Sequence, residues 1–188
     1  MAEYMAISEE MAAKLSINRT GQMSSGQRRT VLVAGVLTLL FLLCPLTMLL
    51  QMVGILLAGS APAVTTVSAL FTVVGVLFMV MFVGLIGTNV QRFLPEAFGR
   101  QPVRYARGNL RVRASEGHRP ELPFSYIIDD YSFAPYVVPQ DVEMRPGAPY
   151  VVYYSRRSRL LLSIAALDKP DAAQWEPQFE NPPAFNWH

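Results

Sequence analysis

Asp129 and Asp130 are adjacent carboxylates, the kind of pair that can share a proton or hold a cation, in a chain of 188 residues. Neighbouring side chains in a tight turn point in different directions, and no His or third acid is close by in sequence. A turn between residues 124–128 and 131–133 is expected instead. His118 sits in a polar loop and His188 is the last residue; two isolated histidines read as solvated side chains, not as ligands. Cys44 is the single cysteine, so no disulfide or cysteine metal site can form within the chain, and its apolar surroundings disfavour the reactive thiolate. Ser155, Ser158 and Ser163 lack a His or Lys base at motif spacing. Gly108, Gly117 and Gly147 stand apart, where a phosphate-cradling loop would need glycines together. With no catalytic constellation among these residues, the chain is expected to be no enzyme and to use neither metal nor cofactor.

The elements that carry these side chains are organised around an apolar hairpin. Hydrophobic residues make up 52% of the chain and charged residues 16%, and the apolar content is concentrated between residues 31 and 90, where no Asp, Glu, Lys, Arg or His occurs. About 20 consecutive apolar residues span a hydrocarbon core of about 30 Å, and in lipid only a helix satisfies its own backbone. Both arms, about residues 30–57 and 64–90, are long enough to be transmembrane helices. Small residues and breakers at 58–66 make the two helices antiparallel neighbours. Arg28 and Arg29 precede the first arm, Arg92, Arg100, Arg104 and Arg107 follow the second, and the connection has neither Lys nor Arg. The positive-inside bias therefore predicts a multi-pass protein of the cell (plasma) membrane with both termini cytoplasmic. Ala61, Pro62 and Ala63 resemble a signal-peptidase site, but a signal core is only about 7–15 residues long. Without intramembrane charge, a proton relay or an ion path through this chain alone is not expected.

Before the hairpin, Tyr4, Ile7, Met11 and Leu15 have helical spacing and predict a short amphipathic helix, docked on the membrane surface or a partner or else frayed. Ser24 and Gln27 have capping-box spacing and should start the first span. Pro45 should kink that span, with Thr47 near the freed backbone groups. Ser68, Thr72 and Gly75 form one small-residue track in the second span, and Gly84 and Thr88 form another. One track would pack the hairpin on itself and the other would suit a homo-oligomer. Pro95 and Gly99 mark residues 93–101 as an exit linker.

Beyond it the period changes from helical to alternating. Val103 and Tyr105, then Leu110, Val112 and Ala114, alternate with arginines and predict a strand with a bulge at Gly108. Residues 124–128 pair with 131–133, and residues 150–154 with 160–164. About five short strands must close or curl to bury one face. The fold class expected is a membrane helical hairpin followed by a small all-β domain, an SH3-like or OB-like barrel or strongly curved sheet, over residues 102–167. Tyr and Phe beside arginines would suit single-stranded nucleic acid, but they also build a small barrel's core, and membrane tethering favours the core; no nucleic-acid partner is expected. Net charge is only +2, and all but two of the 16 basic residues are Arg. Arg28, Arg29, Arg92, Arg100 and Arg104 are expected to contact anionic lipid headgroups, for roughly 1 kcal/mol each at close approach.

Residues 168–188 combine four prolines with acids and with Trp175, Phe179, Phe185 and Trp187. Proline excludes continuous regular structure, so the tail alone is extended or disordered. Four large aromatics are unusual for a mere linker, and the tail is expected either to dock on another subunit or protein or to be an unstructured end. Residues 1–29 are read as a separate helix and linker.

At Gly147, Tyr150, Val152, Tyr153, Tyr154, Ser158, Arg159, Leu161, Leu162 and Ser163, the chain resembles the closing hairpin of functionally uncharacterised bacterial proteins with two spans and a small cytosolic β domain. Asn18, Gly21, Ser24 and Gln27 resemble their leader. The architecture is also similar to NfeD-like membrane proteins, a resemblance that implies an OB domain supporting membrane-protein quality control and assigns no site. The function expected is a membrane-anchored accessory or scaffold protein whose partners are lipids and other membrane-protein subunits. An NfeD-like quality-control factor and an oligomeric transport or channel component are the alternatives.

Overall fold

The computed structural model describes residues 8–57, 66–99, 102–114, 123–139 and 142–181. Helix α1 (Glu9–Asn18) begins at Ser8, whose hydroxyl accepts from the Met11 N–H at 3.3 Å. Glu9 and Glu10 complement the positive helix start, and Lys14 pairs with Glu10 one turn away at 2.6 Å. Met11, Leu15 and Asn18 are buried at helical spacing. Tyr4 and Ile7 of the predicted stripe lie outside the described residues.

Helices α2 (Ser25–Leu57) and α3 (Thr66–Phe98) have 33 residues each. Each is about 50 Å long, against a hydrocarbon core of about 30 Å. Ser24 and Gln27 form the reciprocal box predicted for the start of α2: Ser24 N–H donates to Gln27 Oε1 at 3.0 Å and Gln27 N–H to Ser24 Oγ at 3.3 Å. Pro45 lies inside α2, and Thr47 donates to the Cys44 carbonyl at 2.8 Å. The α3 boundary corrects the expected exit at 93–101, because the helix continues through Pro95 to Phe98. Proline there removes one N–H, but Gln91, which loses that bond, is exposed at a polar helix end.

Both helices are long and apolar enough to cross a membrane. Only 17% of the apolar window of α2 and 0% of that of α3 is buried within the chain. The predicted connection at 58–65 lies outside the described residues.

Six strands follow among the described residues: β1 (Val103–Asn109), β2 (Arg111–Ala114), β3 (Pro123–Ile128), β4 (Tyr131–Phe133), β5 (Pro149–Ser155) and β6 (Leu161–Ala166). They form two three-stranded antiparallel sheets, β1-β5-β6 and β2-β3-β4. The predicted hairpins are present, with Ile128 opposite Tyr131 and Tyr154 opposite Leu161. The domain is not a closed barrel. The chain passes from one sheet to the other at Leu110, whose N–H donates to the Ala148 carbonyl and whose carbonyl accepts from Gly147, each at 2.9 Å. This corrects the bulge expected at Gly108: the β1–β5 ladder runs unbroken from Val103 to Asn109, and the register shifts fall at Arg113/Ala114 and Tyr153/Tyr154.

β5 is buried from Tyr150 to Ser155 because both of its faces are covered. Tyr150, Val152 and Tyr154 meet Ile128, Tyr131 and Phe133 of the second sheet in the core. On the other face α1 packs against β6, and Tyr153 donates to the Trp175 carbonyl at 2.6 Å in the segment after β6. The leader therefore corrects its expected role as a separate segment: residues Met1–Arg28 and Gly99–His188 are one compact unit, and Arg29–Phe98 is the other.

Candidate functional site

Side chains from the leader, β6, β1 and the tail converge on the outer face of the first sheet. Asn18, at the end of α1, is fully buried and donates from Nδ2 to Ser163 Oγ on β6 at 2.7 Å. Asn18 Oδ1 is buried without a hydrogen-bond partner among the described residues. Three residues on, Gly21 turns the leader at φ +81°, a conformation that a side chain would strain. Gln27, already the cap of α2, donates from Nε2 to the Leu162 carbonyl at 2.9 Å. The two stretches singled out by sequence resemblance, the leader and the closing hairpin, thus touch each other.

The tail completes this face. After β6 a short 3-10 turn (Ala172–Trp175) is closed by Asp171, which accepts from the Trp175 indole N–H at 3.0 Å. Trp175 is 8% exposed. Arg19 donates to the Gln174 carbonyl at 2.6 Å, and the Gln178 N–H donates to the Arg19 carbonyl at 2.8 Å. The Phe179 ring lies 3.4 Å from where a Cβ on Gly21 would sit, and meets the Tyr105 ring edge-on at 5.4 Å. Trp175 and Phe179, expected to dock on a partner, lie against this chain's own leader and sheet. Phe185 and Trp187 are outside the described residues.

On the core side, Arg159 stacks over Tyr131 and Tyr154 at 5.5 and 5.4 Å, and those two rings stack on each other at 4.2 Å. Tyr131 donates to the Arg159 carbonyl at 2.7 Å, and Arg159 donates to the Asp130 carbonyl at 3.0 Å. The β3–β4 and β5–β6 turns are thereby joined. Burial pushes the Tyr131 hydroxyl well above the usual phenol range, with Arg159 opposing and Tyr154 adding to the rise. Burial raises Tyr153 likewise, opposed by Arg19 and reinforced by Tyr105 and Glu176. Tyr154 is also raised, first by burial.

The remaining predicted residues are dispersed. Asp129 and Asp130 are exposed in their turn, Asp129 at φ 54°. Ser155 Oγ accepts from the Leu160 N–H at 2.8 Å within a turn. No group of three His, Cys, Asp or Glu side chains that could hold a metal exists among the described residues, and His118 and His188 lie outside them. Arg28 donates to Gln22 at 3.0 Å, Arg29 and Arg92 are exposed, Arg104 is half-buried on β1, and Arg100 is outside the described residues. In the helix pair, a Cβ on Gly75 would sit 3.4 Å from Met52 Cε, whereas nothing lies within 4 Å of one on Gly84. Thr88 donates to its own helix at 2.8 Å. The side chains of Ser68 and Thr72 are not among those described.

Sequence reasoning missed two positions. Gly35 permits a close helix approach, the tightest at any described glycine, a Cβ there falling 2.9 Å from Leu94 Cδ2; a lone glycine in an apolar span was the available signal. Asn181 pairs with both backbone groups of Tyr105, and nothing in its sequence context marks it. No family model, curated protein or solved structure matches the chain.

Proposed function

We propose that this chain is a membrane-anchored accessory or scaffold protein of the cell membrane. In this reading α2 and α3 cross the bilayer as an antiparallel pair, and the β domain is presented in the cytoplasm to other subunits of a membrane complex. The observation that carries it is that the chain leaves one compact unit at Arg28 and rejoins it at Gly99. A folded unit occupies one side of a bilayer, so the two apolar helices between those points must go out and return. The arginines at 28, 29, 92, 100 and 104 support a cytoplasmic side next to anionic headgroups.

The surface offered to partners includes Phe124, 62% exposed beneath the Arg113 guanidinium at 5.8 Å, and Tyr136, 88% exposed beside Pro135. Aromatic side chains and Arg are enriched at protein interfaces. Isolation in mild detergent tests the reading. It predicts a stoichiometric integral-membrane companion that is lost from the Phe124→Ala and Tyr136→Ala variants. A pure homo-oligomer, or a companion indifferent to both substitutions, would overturn it.

A further inference from the structure

We propose that the groove between the outer edge of β1 and the Arg19–Gly21 turn is a peptide-binding site. It takes an extended segment bearing a carboxylate, an aromatic ring and a carboxamide, and residues 176–181 of the tail are its built-in occupant. The Asn181 carboxamide donates from Nδ2 to the Tyr105 carbonyl at 2.7 Å and accepts from the Tyr105 N–H at 3.0 Å. A neighbouring strand would satisfy the same two groups, so this side chain stands where strand addition would begin. Phe179 supplies the ring, seated on the bare Cα of Gly21 and against Tyr105. Glu176 supplies the carboxylate, 2.9 Å from Arg107.

The way these contacts are made argues for exchange. Trp175 is buried and fixes the tail's root, but Glu176 and Asn181 are exposed and Phe179 is only half-buried. The ion pair joins side chains that are 56% and 47% exposed, so it guides register more than it holds. Among the described residues, the tail shields one pair of β1 edge groups through Asn181 and adds no strand to the sheet. A partner segment of the same acidic and aromatic chemistry can displace it and pair further along β1. This names where a scaffold would receive its partner and so rests on the scaffold reading for its biological use. The test below needs only this chain, so its failure would leave that reading standing.

The probe is a fluorescent synthetic peptide of residues 176–181, added to the full-length protein in detergent. The Phe179→Ala/Asn181→Ala double variant, altered at one half-buried and one exposed position, should bind it at least tenfold more tightly than the unaltered chain, because its own tail competes less. Adding Gly21→Val should abolish that gain. In the unaltered chain, excess peptide should speed hydrogen exchange of the 178–181 amides while β5 stays protected. Equal binding to both chains, no binding to either, or a gain that survives Gly21→Val would overturn the proposal.

Discussion

Gln27 Nε2 donates to the Leu162 carbonyl at 2.9 Å while its Oε1 accepts the Ser24 N–H at 3.0 Å, so one side chain caps α2 and clips the backbone of β6. Gln27→Glu keeps the acceptor but removes the donor and turns a carboxylate toward a carbonyl. It should cost more stability than Gln27→Ala, which should lose about 1 kcal/mol for the cap. Denaturant titration of the detergent-solubilised chain measures the order, and hydrogen exchange should rise both in the first turn of α2 and in β6.

Ser163→Ala should cost about 1–3 kcal/mol, because it strands the buried Asn18 amide, whose Oδ1 has no partner among the described residues. Ser158→Ala, in the β5–β6 turn, should cost much less. The same titration compares them.

Gly35 and Gly84 should respond oppositely. A Cβ at Gly35 meets Leu94 Cδ2 at 2.9 Å and Phe93 Cβ at 3.3 Å, whereas one at Gly84 meets nothing within 4 Å. Gly35→Val should destabilise the helix pair by about 1–3 kcal/mol through overpacking, and Gly84→Ala should be neutral or slightly stabilising. Thermal unfolding in detergent, followed by helical circular dichroism, distinguishes them.

Three buried tyrosines predict an alkaline limit. Their hydroxyls are raised above the ordinary value of 10.0, so the unfolded chain loses protons first as pH rises. The stability tied to their neutral form is complete below about pH 10 and is lost progressively above it. Unfolding midpoints measured from pH 8 to 11 should be flat and then fall. Tyr153→Phe should weaken the fall, at the cost of the bond to Trp175.

Much of the architecture was legible because the signals were local. Residues 31–90 announce apolar helices through the absence of charge. Ser24 and Gln27 have box spacing, and the Asp129–Asp130 turn lies between alternating runs. What was illegible depended on distant partners. The Met11 and Leu15 stripe shows that α1 buries a face but not that β6 covers it. Trp175 and Phe179 advertise docking but not that Gly21 and Tyr105 receive them. The change of sheet at Leu110 has no glycine or proline to mark it, whereas Gly108, which drew the bulge, stays within a regular ladder.

Side-specific labelling tests the central claim, that the leader and the β domain are one unit from which two helices depart and return. In a Cys44→Ser background, single cysteines would be placed by Thr20→Cys, Arg113→Cys and Ser60→Cys, and intact cells exposed to a membrane-impermeant maleimide. The account predicts that Ser60→Cys is labelled in intact cells, and that Thr20→Cys and Arg113→Cys are labelled together only after permeabilisation. Labelling of Thr20→Cys without Arg113→Cys, or the reverse, would contradict it.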